Sequence, residues 1–443
     1  MFVKHLNIIK EYILEDVDRF LILCLVFSLP FDRIPSIDIF GVTIRFSIVF
    51  GLLIILRTIY LAINGRVKPA LRPHEKLILI FIAWLVLIIP ESINFKRAFT
   101  TVASNFFVVA VAFCIATIFN KKYLKPIIYS LFASATTAVL FGIYQYIGDV
   151  FGLPTTITGL RDRYTRDVFG FPRIQSFSLE PLYFASYLLL PFSVALGISL
   201  FQKQKIISSK ICTSLLFLFS FGIFLTVSRG GIYGLVASVV FMMASALILK
   251  KTHIKKALSL LVVIIIAFGS SLLVTNYLNK PPSEFTNGKK GANAYVSQIK
   301  NTGLEDGDER AKSRAQALAI IKEDRTVLFL GIGPGQYGPY VQNNKQVDGS
   351  WTIVNNLVLE LVVETGIVGL LSIAIFIVAI FYLGSKTAFT DKDTPIAILA
   401  LSICGYLASQ VVQYQAYSTL YVVHLWVAIG LLLALLRYNA QNK

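Results

Sequence analysis

Arginine residues are concentrated in residues 150–179, a segment between two long apolar stretches. Four arginines lie there: Arg161, Arg163, Arg166 and Arg173. A guanidinium group can donate two parallel hydrogen bonds to a phosphate or carboxylate, so the segment is a candidate anion site. The alternative is solvated surface charge, partly paired with the two aspartates of the segment. Arg173 is the preferred anion ligand because it lies nearest the next apolar stretch.

A carboxylate and another arginine lie where later apolar stretches begin. Glu180 precedes Pro181, and both residue types are favoured at the start of a helix. Glu180 is therefore either a helix cap or a general base that takes a proton from a substrate hydroxyl. Arg229 is followed by two glycines at the boundary between two apolar stretches. It either extends to lipid headgroups or binds the phosphates of a lipid-linked substrate.

A second polar segment, residues 279–352, contributes two further arginines. The sequence from 308 to 325 predicts a short helix on which Arg310 and Arg314 lie one turn apart and share a face. The sequence Gly-Ile-Gly-Pro-Gly at 331–335 follows it. Glycines at this spacing are weak evidence for phosphate binding without the strand and helix of a dinucleotide site. We expect a tight re-entrant turn instead.

Polar residues also begin the apolar stretch after this segment. Asn355 and Asn356 are followed by Glu360 and Glu364. The spacing of Asn356 and the two glutamates places them on one face of a helix. A carboxylate within the membrane is costly and usually faces a cavity or a partner. An ion pair with Arg229 or Arg314 and a role in catalysis explain these glutamates equally well.

These candidate residues require a membrane-embedded scaffold. The chain has 443 residues, of which 56% are apolar and 15% charged, and a soluble protein cannot bury so much apolar surface. Blocks of about twenty apolar residues match the thickness of a hydrocarbon core. We expect an all-α polytopic protein, a single integral membrane domain over residues 1–443 with about twelve transmembrane helices. The predicted spans are 18–36, 42–63, 77–92, 99–119, 126–149, 180–201, 211–227, 231–249, 257–278, 353–384, 395–412 and 416–437.

The distribution of Lys and Arg predicts the orientation. Short basic connections alternate along the chain, which places both termini in the cytoplasm and leaves segments 150–179 and 279–352 as extracytoplasmic loops. The net charge of +17 follows from these connections, so nucleic acid is not an expected partner. The four cysteines fall within predicted spans, and no cysteine or histidine lies in the two outer loops. We therefore expect no metal site, no cofactor and no histidine nucleophile there.

Taken in order, these motifs resemble the O-antigen ligase and O-antigen polymerase superfamily of bacterial membrane glycosyltransferases. The resemblance covers roughly residues 170–372 by motif. It rests on Arg173, Glu180-Pro181, Ser228-Arg229-Gly230, Arg314, the glycines at 331–335, the Asn-rich span start, Glu360, Glu364-Thr365-Gly366 and Gly369.

The resemblance implies a GT-C-like fold with a large extracytoplasmic loop, in the bacterial inner membrane. It also implies substrates carried on undecaprenyl diphosphate and a reaction without a metal. The family assigns the diphosphate to the arginines that match Arg229 and Arg314. With Glu180, these are the catalytic candidates. The substrate-binding candidates are Arg163, Arg173, Arg310, Asn355, Asn356, Glu360 and Glu364.

One departure from the family pattern indicates which reaction to expect. O-antigen ligases carry a histidine where this chain has Asn355, so we expect a polysaccharide polymerase that joins lipid-linked repeat units on the outer face. The alternatives are a ligase that transfers glycan to another acceptor and a transporter or flippase. No residue repeat is seen and the candidate charges lie on one face, which favours an enzyme over a transporter. Expected partners are the lipid bilayer, the undecaprenyl-diphosphate-linked oligosaccharide and, as a candidate, a chain-length regulator.

Overall fold

The computed structural model of the chain is a bundle of long apolar helices. It describes residues 16–33, 36–39, 42–201, 206–249, 252–278, 291–300, 309–347, 349–390 and 394–441. Ten helices in these ranges, two of them extended by a short 3-10 turn, are long and apolar enough to cross a membrane. The chain is therefore a multi-pass membrane protein. The elements are α1 (Val17–Ser28), β1 (Ser36–Ile39), β2 (Val42–Arg45), α2 (Phe46–Ile63), α3 (Pro73–Leu87), α4 (Phe95–Ile118), α5 (Leu124–Val150), α6 (Thr155–Thr158), α7 (Arg166–Phe169), α8 (Pro181–Leu200), α9 (Ser209–Leu225), α10 (Arg229–Ile248), α11 (Ile254–Tyr277), α12 (Gly291–Lys300), α13 (Glu309–Glu323), α14 (Arg325–Leu330), α15 (Tyr337–Val341), α16 (Leu357–Thr390), α17 (Thr394–Gln413) and α18 (Val423–Gln441).

Two of the twelve predicted spans correspond to shorter helices. Helix α9 has 17 residues, and α1 has only 12, or about 18 Å at the usual rise per residue. Helix α1 ends before Pro30, which cannot continue a helix without losing a hydrogen bond. The segment nevertheless connects the two ends of the bundle. Asp16 lies 2.7 Å from Lys122 at one end, and the Arg33 N–H donates to Phe177 O at the other.

A β-hairpin is the exception to the expected all-α architecture in the described part of the chain. Strands β1 and β2 pair antiparallel, with Ser36 opposite Arg45 and Ile39 opposite Val42. The span predicted from residue 42 therefore begins as a strand, and its helix starts only at Phe46. The β-branched residues of the sequence Val-Thr-Ile at 42–44 favour this extended backbone.

The core of the bundle surrounds α8, most of whose residues are buried. This helix packs against α9, α10 and α17. Outer helices instead expose large apolar side chains such as Leu56, Ile63 and Ile265. Exposed apolar surface of this extent is stable in contact with lipid tails, whereas in water it would be an aggregation site.

Contacts between connections show which of them lie together at each end of the bundle. At the end that we call the outer end, Asn94 exchanges hydrogen bonds with Gln336, and Arg33 bonds to Phe177. At the opposite, inner end, Arg437 and Glu75 form an ion pair of 2.7 Å. All segments with candidate site residues reach the outer end.

The long connection before α16 contains four helices in its described part. The expected helix over 308–325 is confirmed as α13, and residues 331–335 form the expected turn between α14 and α15. Helix α12 precedes α13 in this connection and was not predicted from the sequence. Helix α16 begins at Leu357 instead of residue 353 and is kinked at Gly366, where φ is +66°.

Candidate functional site

The break between α9 and α10 forms the floor of the candidate site. Val227 has a φ of +49°, a region that β-branched residues rarely adopt, so this turn is held by its surroundings. Ser228 caps α10 by accepting a hydrogen bond from the Gly231 N–H at 3.3 Å. At Gly231 a side chain would lie 2.5 Å from Ala185 on α8. The glycine therefore permits the close packing that presents Arg229 at the first position of α10.

Arg173 fastens the preceding loop to this break. Its Nε donates to Thr226 O at 3.2 Å, and its Nη2 donates to Val227 O at 3.3 Å. The guanidinium carbon lies 5.0 Å from the ring centre of Phe169 and 5.8 Å from that of Tyr164. These contacts fix the orientation of the side chain. Burial lowers the pKa of Arg173 to about 10, so it remains charged at neutral pH.

Three of the predicted arginines surround one small cavity of about 60 Å³ at this break. Its lining consists of Arg173, Leu182, Val227, Ser228, Arg229, Gly230 and Arg310. We call this set the arginine pocket. The positive charges of Arg310 and Arg229 lower the pKa of Arg173 further, which means that each of them repels Arg173. Such repulsion is relieved by an anion in the pocket, and the guanidinium groups are suited to phosphate oxygens.

Glu180 lies at the margin of the arginine pocket. It occupies the N-cap position of α8, but its side chain makes no capping hydrogen bond. Instead, its Oε1 lies 3.7 Å from Nη2 of Arg163, and its charge acts on Arg173. The half-exposed carboxylate of Glu180 is therefore next to the cations and accessible from outside.

Arg314 lies apart from the arginine pocket, although it is one helical turn from Arg310. Its Nη2 donates to Gln415 O at 2.7 Å and approaches Asn355 O at 3.5 Å. Asn355 has a φ of +58°, and its N–H donates to Ser418 Oγ at 3.1 Å. Arg314 and Asn355 are thus brought together against the connection between α17 and α18.

The polar stripe of α16 contacts backbone amides. Asn356 caps the helix by accepting from the Leu359 N–H at 3.0 Å, and Glu360 accepts from the Val354 N–H at 2.9 Å. Glu364 accepts from the N–H groups of Gly335 at 2.9 Å and Tyr337 at 3.0 Å. Both glutamates are partly buried, and carboxylates with such partners position the chain that they bind. These contacts to backbone amides account for the positions of both glutamates, so the ion pair with Arg229 or Arg314, one of the two alternatives from the sequence, is not needed to explain them.

Part of the chain matches a known protein family. Residues 214–374 match the sequence model of the O-antigen ligase family. This region is an O-antigen ligase family domain. No curated protein matches the chain significantly. The domain runs from within α9 to within α16 and includes the helix break and the long outer connection.

The arginine pocket combines residues inside and outside the O-antigen ligase domain. Arg229 and Arg310 belong to the domain, whereas Arg173 and Leu182 precede it, as does Glu180 at the margin of the pocket. The two hydrogen bonds from Arg173 to the carbonyls of Thr226 and Val227 join the two parts. The site is therefore not contained within the matched region.

Sequence reasoning missed Arg97, at the outer end of α4. Its Nε donates to Gly335 O at 2.6 Å, and its guanidinium lies 5.5 Å from the Trp351 ring centre. Arg97 thus fastens the glycine turn of the O-antigen ligase domain, as Glu364 does from the other side. The available signal was an outward arginine at a span start, the same signal that identified Arg229.

Proposed function

We propose that this protein is a membrane glycosyltransferase that polymerises a polysaccharide such as O-antigen, capsule or exopolysaccharide. It transfers a growing glycan from undecaprenyl diphosphate to a lipid-linked repeat unit. The observation that carries the proposal is the convergence of Arg173, Arg229 and Arg310 on one cavity at the outer end of the bundle. The O-antigen ligase domain around two of these arginines supports the same reaction class.

The chemistry of the leaving group explains why the cations are needed. When the glycosidic bond to the lipid breaks, negative charge builds up on the diphosphate. Positioned cations stabilise that charge more in the transition state than in the ground state, which accelerates the reaction. In this proposal the guanidinium groups provide this stabilisation in a metal-independent reaction. Arg314 acts beside Asn355 on a neighbouring part of the substrate.

The acceptor hydroxyl must lose a proton as it attacks the sugar. Glu180 is the proposed base because its carboxylate lies beside the arginine pocket and is accessible. Arg163 orients it and contributes to substrate binding. Glu360 and Glu364 are weaker candidates, since their carboxylates accept backbone N–H groups. They and Asn356 position the substrate-binding loop.

The proposed location is the bacterial inner membrane, with the active site on its extracytoplasmic face. Twelve segments then cross, including α1 and α9, and both termini are cytoplasmic, as in a GT-C-like fold. Basic residues at the inner end, among them Lys68, Lys122 and Lys255, support this orientation because cytoplasmic connections are enriched in Lys and Arg.

A ligase is the second candidate, because the matched family is described by that activity. The residue at the position of the ligase histidine is Asn355, which cannot act as a base, and this favours the polymerase.

Gel analysis of glycan from cells that lack the gene distinguishes the two. A polymerase predicts that the ladder collapses to one repeat unit and that wild type, but not Arg229→Ala, restores it. An intact ladder that is no longer attached to its final acceptor would instead identify a ligase. Full rescue by Arg229→Ala would contradict the role of the arginine pocket.

A further inference from the structure

A large cleft lies at the inner end of the bundle, opposite the arginine pocket. It has a volume of about 750 Å³ and opens between the connection that precedes α3, the end of α4 and the end of α18. Four cations are among its lining residues: Lys68, Arg72, Lys121 and Arg437. The described lining includes no carboxylate. The cleft is therefore positively charged at its surface.

The floor of this cleft is a buried ion pair. Arg437 forms two hydrogen bonds with the fully buried Glu75, at 2.7 and 2.8 Å, and its Nη1 donates to Thr117 Oγ1 at 3.0 Å. Arg72 lies above the pair: its N–H donates to Glu75 Oε2 at 2.9 Å and its Nη2 to Arg437 O at 3.3 Å. The floor is thus neutral and rigid, and Arg72 is held in place at the rim.

The walls of the cleft are partly apolar. Val67, Leu71 and Phe119 line it together with Asn120 and the cations. An occupant that matches this surface has a negatively charged group and an apolar part. The enrichment of cytoplasmic connections in Lys and Arg explains why cations occur at this end, but not why they surround a cleft. Lys255 and Lys386, for example, are exposed at the same end outside it.

We propose that the cleft binds the phosphate headgroup of an anionic phospholipid from the adjacent leaflet. Lys68 and Arg72 contact the phosphate, Lys121 approaches it from the other wall, and the acyl chains continue along the apolar surface of the bundle. Basic pockets between transmembrane helices on the cytoplasmic side are suited to such headgroups. A free phosphate ion shares the chemistry of the headgroup, but it would fill little of 750 Å³ and leave the apolar walls uncovered.

The test is lipid binding by the purified full-length protein in detergent. Native mass spectrometry and the midpoint of thermal unfolding are measured with phosphatidylglycerol, phosphatidylcholine or inorganic phosphate. Wild type is expected to retain phosphatidylglycerol and to unfold at a higher temperature only with that lipid. The variant Lys68→Gln/Lys121→Gln should bind it about 30-fold more weakly, since each lysine near an anionic headgroup contributes roughly fivefold.

Two control variants make the result specific. Lys255→Gln/Lys386→Gln removes the same charge from the same end of the bundle and should bind as wild type does. Lys68→Arg/Lys121→Arg keeps the charge and should retain binding. Equal binding by the Lys68→Gln/Lys121→Gln variant, or equal stabilisation by phosphatidylcholine, would overturn the proposal. Stabilisation by inorganic phosphate alone would identify a free-anion site and overturn the lipid as occupant.

Discussion

Nη2 of Arg173 donates to the main-chain carbonyl of Val227 at 3.3 Å, and this bond joins the loop before α8 to the helix break of the O-antigen ligase domain. Val227 has the unfavourable φ of +49°, so the turn depends on such external contacts. The same turn leads directly into Arg229. Arg173 therefore both contributes a charge to the arginine pocket and fixes the backbone that carries a second one.

Replacement of Arg173 tests this double role. Arg173→Ala should reduce the rate of glycan extension by about 10²–10³-fold, the usual effect of losing one preorganised charge-stabilising donor. Arg173→Lys should restore only part of the rate, because an ammonium group lacks the planar fork that reaches both carbonyls. Initial rates on lipid-linked repeat units provide the measurement. Arg161→Ala, in the same loop but outside the pocket, is the control, and full activity of Arg173→Lys would show that charge alone suffices.

Glu180→Gln tests the proposed base. The amide keeps the shape of the side chain but cannot accept a proton, so we expect the extension rate to fall about 10²–10⁴-fold. Protein stability should be unchanged, because the half-exposed side chain makes no capping bond. Arg163→Gln is the comparison: it removes the ion pair but keeps the carboxylate, and should have the smaller effect. Glycan of normal length from Glu180→Gln would exclude Glu180 as the base.

Because α16 is kinked at Gly366, replacing this glycine should destabilise the protein more than replacing Gly269 in α11. Gly366 has a φ of +66°, and a side chain there would collide with the carbonyl of Phe329 on α14. Gly366→Ala should lower the free energy of unfolding by about 1–3 kcal/mol from backbone strain alone, because φ of +66° with ψ of −177° is a region that essentially only glycine adopts. Gly269→Ala is the matched control, since nothing lies within 4 Å of the position where its side chain would be. In thermal unfolding in detergent, Gly366→Ala should have a lower midpoint temperature than Gly269→Ala. Equal midpoints would contradict the kink at Gly366.

At the inner end, the ion pair between Glu75 and Arg437 predicts that substitutions of these two residues have strongly non-additive effects on the free energy of unfolding. Glu75→Gln leaves a largely buried guanidinium without its counter-charge, which typically costs about 3–5 kcal/mol of stability. Glu75→Gln/Arg437→Met removes both charges and should be less destabilised than Glu75→Gln. Denaturation of the wild type and of the single and double variants measures the coupling. Additive effects of the two substitutions would mean that the pair contributes nothing specific.

The sequence was sufficient to predict where most of the long helices lie. Apolar blocks of about twenty residues identified the spans, and the polar stripe from Asn356 to Glu364 was correctly assigned to the start of a helix. The lengths of α1 and α9 and the hairpin after Arg33 were not predicted, because hydropathy does not separate a short helix followed by strands from one longer apolar helix.

The grouping of the candidate residues depended on tertiary contacts. Arg310 and Arg314 share a helix face in sequence, yet Arg310 lines the arginine pocket and Arg314 bonds to Gln415. The i,i+4 rule gives proximity along one helix, but the direction of a long side chain is determined by its neighbours. Arg97 lies at a span start, a signal visible in the sequence, but its partner Gly335 lies 238 residues away, so its contact with the glycine turn could not be predicted.

The polymerase proposal is tested by measuring glycan extension by purified protein on undecaprenyl-diphosphate-linked repeat units, in detergent and without a transmembrane gradient. Wild type is predicted to form a ladder of products, Lys255→Gln to form the same ladder, and Arg229→Ala to be slower by about 10²–10³-fold. Extension by Arg229→Ala at the wild-type rate would contradict the role of the arginine pocket. Absence of extension by folded wild type in the same assay would contradict the polymerase itself.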